Sequence, residues 1–211
     1  MKILLSGVAL CLSIFSHAQL SYQAEISGGF NYLHPVNNYD YPHTGTVYNY
    51  KLKVSVGKEI WKDIQTHFGF YYGTVGFSQI WDIYDESSPD VKVGTTEVNT
   101  YLTTMGIDVR NIHDISGLEG FHFGYGFSFG MGNQTSAHSD VYGDMGSSVN
   151  SDLFKLTELG VLFGYHFHVA KNTSLYAQLE YRQGILHITK ESQMNGTTGN
   201  TLLTLGVNLG N

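Results

Sequence analysis

Strict alternation of apolar and polar residues is the feature that most constrains the fold of this chain. Within residues 47–58, five successive even-numbered positions carry apolar or aromatic side chains, and the odd-numbered positions between and after them carry polar or small ones. We call these two alternating sets the two parities of the strand. The first set is Tyr48, Tyr50, Leu52, Val54 and Val56, and the second is Asn49, Lys51, Lys53, Ser55 and Gly57. A helix would scatter both sets around its axis, so the pattern predicts a β-strand with one apolar face.

Seven further segments follow the same period. Residues 119–132 set large apolar side chains against glycine, serine and histidine, and residues 153–169 repeat the pattern with Leu162 as an exception. In all, eight strands are predicted, at residues 22–33, 47–58, 64–81, 97–110, 119–132, 153–169, 174–190 and 201–209. In the third strand the apolar parity slips between Tyr72 and Val75, which we interpret as a β-bulge or a strand end outside the membrane.

The connections between these segments alternate in length. Short links fall near residues 60–63, 111–118 and 170–173, and long ones near 34–46, 82–95, 133–152 and 191–200. Transmembrane barrels have this rhythm, with short periplasmic turns and longer external loops. No stretch has the roughly 20 apolar residues of a spanning helix. If the protein enters a membrane it must therefore close its strands, and we predict an all-β, eight-stranded, antiparallel up-and-down transmembrane β-barrel.

The first 18 residues have the layout of a secretory signal peptide. Lys2 is followed by an apolar run from Ile3 to Phe15 and by the small-residue cleavage site Ser16-His17-Ala18. We predict a signal peptide over residues 1–18, exported through the Sec route, and one barrel domain over residues 19–211. The single cysteine, Cys11, lies in the signal, so the exported protein is expected to have no disulfide and no thiol nucleophile.

Four segments carry a resemblance to a known family. They are residues 25–31 (EISGGFN), the hairpin 54–64 (VSVGKEIWKDI), the glycine-aromatic strand 121–132 (FHFGYGFSFGMG) and residues 159–165 (LGVLFGY). The chain resembles the porin-like outer-membrane β-barrel family that is abundant in Bacteroidota. This resemblance spans most of the chain after the signal. It implies an eight-stranded barrel of the OmpA/OmpX type in the cell outer membrane of a Gram-negative bacterium, and it assigns no molecular activity.

The lumen of an eight-stranded barrel is just wide enough for side chains to fill it. A charge in that space loses hydration and persists only when it is paired and hydrogen-bonded. If the polar parity points inward, the lumen holds a charge network of Glu25, Lys51, Lys53, Asp108, Arg110, Glu158, Glu180 and Arg182. We expect this network to link non-adjacent strands and to couple Lys53 to Glu158 or Glu180. The competing interpretation is that several of these residues sit at strand ends in solvent.

Four histidines share the inward parity near the predicted periplasmic ends of their strands: His67, His122, His166 and His168. Neutral imidazoles are competent zinc or copper ligands. However, the strands that carry them lie on different parts of the wall, and histidine is also ordinary polar filler. We therefore predict no metal and no cofactor, and the four histidines are the candidates if a metal does bind.

Two further functional classes are disfavoured. The formal net charge is -7 and Lys and Arg do not cluster, so nucleic acid is not an expected partner. Catalysis in a membrane barrel requires a supported Ser/His/acid set. The only His-Ser step after the signal is His138-Ser139, beside Asp140 in a predicted long loop, and adjacent residues cannot easily form a triad. We therefore expect no enzyme activity.

The sequence thus predicts an outer-membrane barrel with a structural or surface-interaction role, and it leaves narrow solute or ion conduction open. The expected partners are outer-membrane lipid, lipopolysaccharide, the barrel assembly machinery and a surface ligand bound by the external loops. The alternative is a soluble exported lipocalin-like β-barrel that binds a small apolar ligand. In that protein the inner and outer faces of the wall would be exchanged. Large side chains of residues 121–129 would line a pocket, and Lys51, Lys53 and Glu180 would face water.

Overall fold

The structure, a computed structural model, describes residues 20–35, 44–141, 143–144, 154–185 and 196–210. The predicted signal peptide lies outside these residues. Ten strands follow one another: β1 (Leu20–Pro35), β2 (Thr44–Gly45), β3 (Val47–Trp61), β4 (Ile64–Asp85), β5 (Ser88–Asp114), β6 (Phe121–Ser139), β7 (Gly143–Asp144), β8 (Phe154–Ala170), β9 (Thr173–Gly184) and β10 (Gly196–Gly210). The described part of the chain contains no helix that is long and apolar enough to cross a membrane.

Eight of the strands form a closed ring. Antiparallel pairing runs from β1 to β3, β4, β5, β6, β8, β9 and β10 in turn. The ring closes where β10 pairs with β1, from Ser21 opposite Gly210 to Pro35 opposite Gly196. The short strands β2 and β7 pair with β4 and β6. The predicted all-β, eight-stranded, antiparallel barrel is confirmed.

The short connections gather at one end of the barrel. They are the turns at residues 62–63, 115–120 and 171–172, and Leu20 lies at this end opposite Lys58. Asp63 adopts a φ of 66°, a left-handed conformation that tight hairpin turns need and that Asp tolerates better than most residues. We call this end the short-turn end and the opposite one the outer end.

The two faces of the wall have opposite chemistry. On β3, Tyr48 and Val54 are 65% and 60% exposed, whereas Asn49 and Lys51 are 1% and 6% exposed. On β6 the aromatic residues also face outward, with the glycine parity inward; the exposed side chains are Phe121, Phe123, Tyr125 and Phe127. The lipocalin-like alternative is therefore wrong, because it required these aromatics to line an internal pocket.

The predicted bulge or strand end between Tyr72 and Val75 is also wrong. The β4–β5 register runs without a shift from Ile64 to Ile83. The inward parity simply changes from polar to apolar toward the outer end, where Val75 and Phe77 are fully buried against Leu102 and Leu156. The pattern slipped because the lumen changes chemistry there, while the backbone geometry stays regular.

The predicted external loop over residues 82–95 is a hairpin instead. β4 continues to Asp85 and β5 begins at Ser88, so the connection is the two-residue turn at 86–87. Ile83 still lies opposite Gly94 in the ladder. The pattern missed these strand ends because both faces of the hairpin meet water and neither needs to be apolar.

Three other strand boundaries also differ from the predicted ones by several residues. β6 runs to Ser139, although a loop was predicted from Asn133. β9 ends at Gly184, whereas a strand was predicted to Lys190, and β10 starts at Gly196 inside the predicted loop 191–200. Residues 36–43, 142, 145–152 and 191–195 of the predicted long loops lie outside the described residues, as do residues 153 and 186–190 of the predicted strands.

A lysine scan of the exterior tests which solvent surrounds it. We expect Val54→Lys to lower the free energy of unfolding of the liposome-folded protein by about 2–4 kcal/mol, because a lysine near the bilayer midplane is costly. Tyr84→Lys is the matched control at 50% exposure in the outer hairpin, where a surface substitution changes stability by less than about 0.5 kcal/mol. Urea titrations measure both. Equal effects would mean that both sites face water.

Candidate functional site: a charged lumen

The lumen holds a network of eight charged side chains that come from five strands. All eight are buried, at 0% to 7% exposure. They are Glu25 on β1, Lys51 and Lys53 on β3, Asp108 and Arg110 on β5, Glu158 on β8, and Glu180 and Arg182 on β9. The structure therefore brings every residue of the predicted charge network into the lumen, and it leaves none of them at a solvated strand end.

Asp108 is the centre of the network. Its Oδ1 accepts from Lys53 Nζ at 3.1 Å and from Arg110 Nε at 3.0 Å. Its Oδ2 accepts from Arg182 Nη2 at 2.6 Å. One carboxylate thus ties β5 to β3 and to β9, and neither of these strands is adjacent to β5 in the ring.

Glu25 and Glu180 extend this centre. Glu25 Oε2 lies 2.8 Å from Lys53 Nζ and 2.8 Å from Arg110 Nη2. Glu180 Oε1 accepts from Arg182 Nε at 2.8 Å and lies 2.6 Å from Nη2 of the same arginine. The cations therefore sit between carboxylates, an arrangement in which each desolvated charge has an opposite charge at contact distance.

Glu158 anchors a second group next to this centre. Its Oε2 accepts from Lys51 Nζ at 2.9 Å and from Ser128 Oγ at 3.1 Å, and its Oε1 accepts from Asn200 Nδ2 at 2.5 Å. Asn49 Nδ2 in turn donates to Asn200 Oδ1 at 2.6 Å. Sequence reasoning missed both asparagines, although each lies on the inward parity of its strand.

The pairings differ in detail from those expected. Lys53 meets Glu25 and Asp108, and the lysine that meets Glu158 is Lys51. Parity decides which residues enter the lumen, but strand tilt and stagger decide their height in it. Those quantities belong to the closed ring, so they could not be inferred from one strand at a time.

The charge balance explains how the lumen tolerates these groups. Four carboxylates and four cationic side chains make a formally neutral set.

The exterior of the barrel wall is an apolar surface, with aromatics such as Tyr22 and Trp61 at the short-turn end and Phe30 and Tyr48 toward the outer end. A water-soluble barrel has the reverse arrangement, whereas a closed barrel with a polar inside and an apolar outside fits a bilayer. The molecule is an eight-stranded transmembrane β-barrel.

This barrel is similar to several proteins of known structure. It is 18% identical to Neisserial surface protein A over 90% of this chain and 96% of that chain, with a TM-score of 0.46. It is 12% identical to Ail, the attachment invasion locus protein of Yersinia pestis, over 90% and 98%, with a TM-score of 0.40. It is 11% identical to OprG from Pseudomonas aeruginosa over 92% and 97%, with a TM-score of 0.37. No protein-family model and no curated protein matches the chain.

The four histidines of the barrel do not share one site. His67 and His122 are buried, and His166 lies half-exposed with its ring centroid 4.2 Å from that of His122. His168 keeps the inward parity, opposite the buried Ser174, but it is exposed because it lies near the short-turn mouth of the lumen, where the register of β8 with β9 shifts. Among the described residues, no three His, Cys, Asp or Glu side chains are grouped so that they could hold a metal.

Ser139 and Asp140, in the His138-Ser139-Asp140 segment, are hydrogen-bonded to the neighbouring strand β5. The buried Ser139 hydroxyl lies 2.6 Å from Thr96 Oγ1. Asp140 accepts from Thr96 Oγ1 at 2.7 Å and from the Glu97 N–H at 2.9 Å. The Thr96 hydroxyl beside Asp140 holds the pKa of that carboxyl below its usual value. These contacts fasten the end of β6 to β5, so the serine and the acid are engaged with the neighbouring strand.

Removing one charge from the network tests its contribution to stability. We expect Asp108→Asn to lower the free energy of unfolding by about 3–5 kcal/mol, because it leaves buried cations without their shared carboxylate. The matched control is Asp82→Asn, which removes the exposed ion pair with Lys92, 2.7 Å away. That change is expected to cost less than about 1 kcal/mol. Urea unfolding in detergent micelles measures both, and similar losses would argue against a cooperative lumenal network.

Proposed function

We propose that this outer-membrane barrel is a closed scaffold that presents its β4–β5 hairpin to partners at the cell surface and conducts no solute. The observation that carries the proposal is the shape of the hairpin. On the hairpin side of Thr74, β4 no longer pairs with β3. On the hairpin side of Val98, β5 no longer pairs with β6. The hairpin therefore extends past the ring.

The length of the hairpin supports an external role. β2 pairs with β4 only at Ser78 and Gln79. The six residues from there to Asp85 span about 20 Å at the rise of a β-strand. Within the described residues, the stretches 82–85 and 88–95 pair only with each other, so each has one edge that no described strand covers. Uncovered edges are sites where an extended segment of another protein can add as a strand.

The surface of the hairpin supports the same role. The hairpin exposes three large aromatic or aliphatic side chains although it lies past the apolar exterior of the ring. They are Tyr84, Val91 and Val93. The turn is held in shape by Asp85, whose Oδ1 accepts from the Ser87 N–H at 2.9 Å and from its hydroxyl at 2.7 Å. The hairpin thus offers apolar and aromatic contact area beside strand edges that no described strand pairs with, a combination that suits peptide recognition.

The filled lumen supports the absence of conduction. Arg110 and Glu158 are 1% and 0% exposed, and Phe77 and Leu102 close the outer end at 0%. An ion would have to separate desolvated ion pairs and then pass an apolar layer. Both steps are unfavourable in a lumen that side chains already fill.

The remaining partners follow from the proposed location. The apolar exterior is proposed to contact outer-membrane lipid and, toward the outer end, lipopolysaccharide. Insertion of such a barrel is proposed to need the barrel assembly machinery. The surface ligand is proposed to bind the hairpin, and nucleic acid is not a proposed partner.

Conductance measurements test the closed lumen. We expect the purified barrel to give no stepwise current in a planar bilayer, because no continuous water path crosses the ion-pair layer and the apolar layer. A known open porin, reconstituted in the same way, is the positive control. Reproducible unitary currents from the wild-type protein would contradict the proposal and support narrow conduction instead.

Shortening the hairpin tests the interaction surface. Residues 84–93 are replaced by Asn-Gly, which can join the paired residues Ile83 and Gly94 in a tight turn. Peptides are selected by phage display on the wild-type protein in nanodiscs. We expect extended, β-prone peptides that bind the shortened variant at least about tenfold more weakly, while the heat-dependent gel shift of the folded barrel is retained. Failure to select peptides, or equal binding to both proteins, would contradict the proposal.

A further inference from the structure

The short-turn half of the lumen contains two histidines whose rings pack on each other. His122 on β6 is fully buried, and its ring centroid lies 4.2 Å from that of His166 on β8, with an angle of 42° between the ring planes. His166 is half-buried and lies closer to the mouth of the lumen. Two ionisable rings are thus in van der Waals contact, and we call them the histidine pair.

Packing, and not hydrogen bonding, holds these rings in place. Both ring nitrogens of His122 and Nδ1 of His166 are buried without a hydrogen bond among the described residues. The side chain of Gln178 and the carbonyl of Gly120 lie beside His122 but form no hydrogen bond of good geometry with it. A Cβ at position 164 would lie 2.6 Å from His122 Nε2, so glycine makes the room for this ring. Buried polar atoms are usually hydrogen-bonded, and rings that lack such bonds can move when their charge changes.

The surroundings of the pair favour two neutral rings. Among the described residues, no carboxylate forms an ion pair with either ring. A charge buried without a partner is costly, and two like charges in contact are costlier. The charged or titratable groups that face the pair are His67 on β4, Arg110 and Asp114 on β5, His168 on β8 and Tyr176 on β9.

A metal ion between the two rings is the other interpretation, and the geometry is against it. With metal–nitrogen bonds of about 2 Å and tetrahedral angles, two imidazole ligands keep their ring centres more than about 5 Å apart. The observed separation of 4.2 Å is shorter than that. The part of the chain that the structure describes also provides no group of three ligands. The pair is therefore better suited to protons than to a metal.

Acid changes the charge of such a pair. An unperturbed imidazole takes up a proton near pH 6.5. In the unfolded chain both rings are protonated below that pH, whereas rings in contact cannot both become charged without strong repulsion. The unfolded or opened chain thus binds more protons than the stacked pair does. The stacked arrangement therefore contributes stability at neutral pH, and this contribution is lost as the pH falls below about 6.5.

A turn at the mouth of the lumen is attached directly to the pair. The backbone N–H of His166 donates to the carbonyl of Gly120 at 2.8 Å. Gly120 ends the turn at residues 115–120 with a φ of 82°, and His122 follows two residues later. Asp114, at the other end of this turn, is exposed and lies directly opposite His122 in the β5–β6 ladder. Separation of the two rings would therefore pull on the hydrogen bond that holds the turn against β8, and a protonated His122 has a carboxylate to turn toward.

We propose that the histidine pair is an acid-sensitive latch on the short-turn mouth of the lumen. When both rings are neutral, they stack and the turn at 115–120 stays hydrogen-bonded to β8. When the pair is protonated, the rings separate, His122 turns toward Asp114, and the turn opens. The ion-pair network around Asp108 stays closed because its charges remain paired. The latch thus opens the mouth without opening a path through the barrel.

Amide hydrogen exchange of the full-length exported protein in nanodiscs tests the latch. The reporter is the N–H of residue 166, and the quantity is its protection factor at about pH 7.5 divided by that at about pH 5. We expect a ratio of at least about ten for the wild type and close to one for His122→Gln, which cannot take up the proton. The matched control is His168→Gln, which removes an exposed histidine from the same face of β8 and is expected to keep the wild-type ratio.

Three outcomes would overturn the latch: a wild-type ratio near one, equal ratios in the wild type and His122→Gln, or loss of the response in His168→Gln. His166→Gln, which breaks the pair from β8, replaces His122→Gln if that variant does not show the gel shift of a folded barrel. Asp114→Asn tests the partner of the protonated ring. We expect its protection to fall at a lower pH than in the wild type, and an unchanged pH would overturn the role of Asp114.

Discussion

The structure depends on the closure of its sheet between the first and last barrel strands. In hydrocarbon no water is present to satisfy a backbone N–H or C=O, so every such group in the bilayer must bond to a neighbouring strand. Pairing of β1 with β10 from Ser21 to Pro35 removes the two edges that the sheet would otherwise expose. Once the ring is closed, the two-residue period of each strand sends one set of side chains to lipid and the other into a narrow lumen.

That closure makes the ion-pair network necessary. Polar side chains excluded from the exterior must fill a space too small for bulk water, and a charge there is tolerated only with an opposite charge in contact. Asp108, which accepts from Lys53, Arg110 and Arg182, meets this requirement for three cations at once. The same contacts span the lumen and occupy the path that a solute would take. A barrel braced in this way has its rims and its outer wall left for interactions.

We propose that the outer hairpin is the place where this barrel meets other proteins. The hairpin is a regular part of the sheet that continues past the ring, where each of its strands keeps only one strand neighbour among the described residues. Its strand edges lie in water, so they suit an extended peptide. The lumen, in contrast, is filled by its own side chains and offers no such edge.

Much of this could be read from individual residues. The alternation of Tyr48, Asn49, Tyr50 and Lys51 determined a strand with a polar and an apolar face, and the number and spacing of such segments determined eight strands with short turns at one end. Parity also selected the eight lumenal charges. Only the closed ring decided that Lys51, and not Lys53, meets Glu158, that Phe77 faces inward, and that the ring of His122 packs on that of His166. A single strand carries its two faces in its own sequence, whereas heights across the lumen and neighbours across the wall depend on the tilt and stagger of all the strands together.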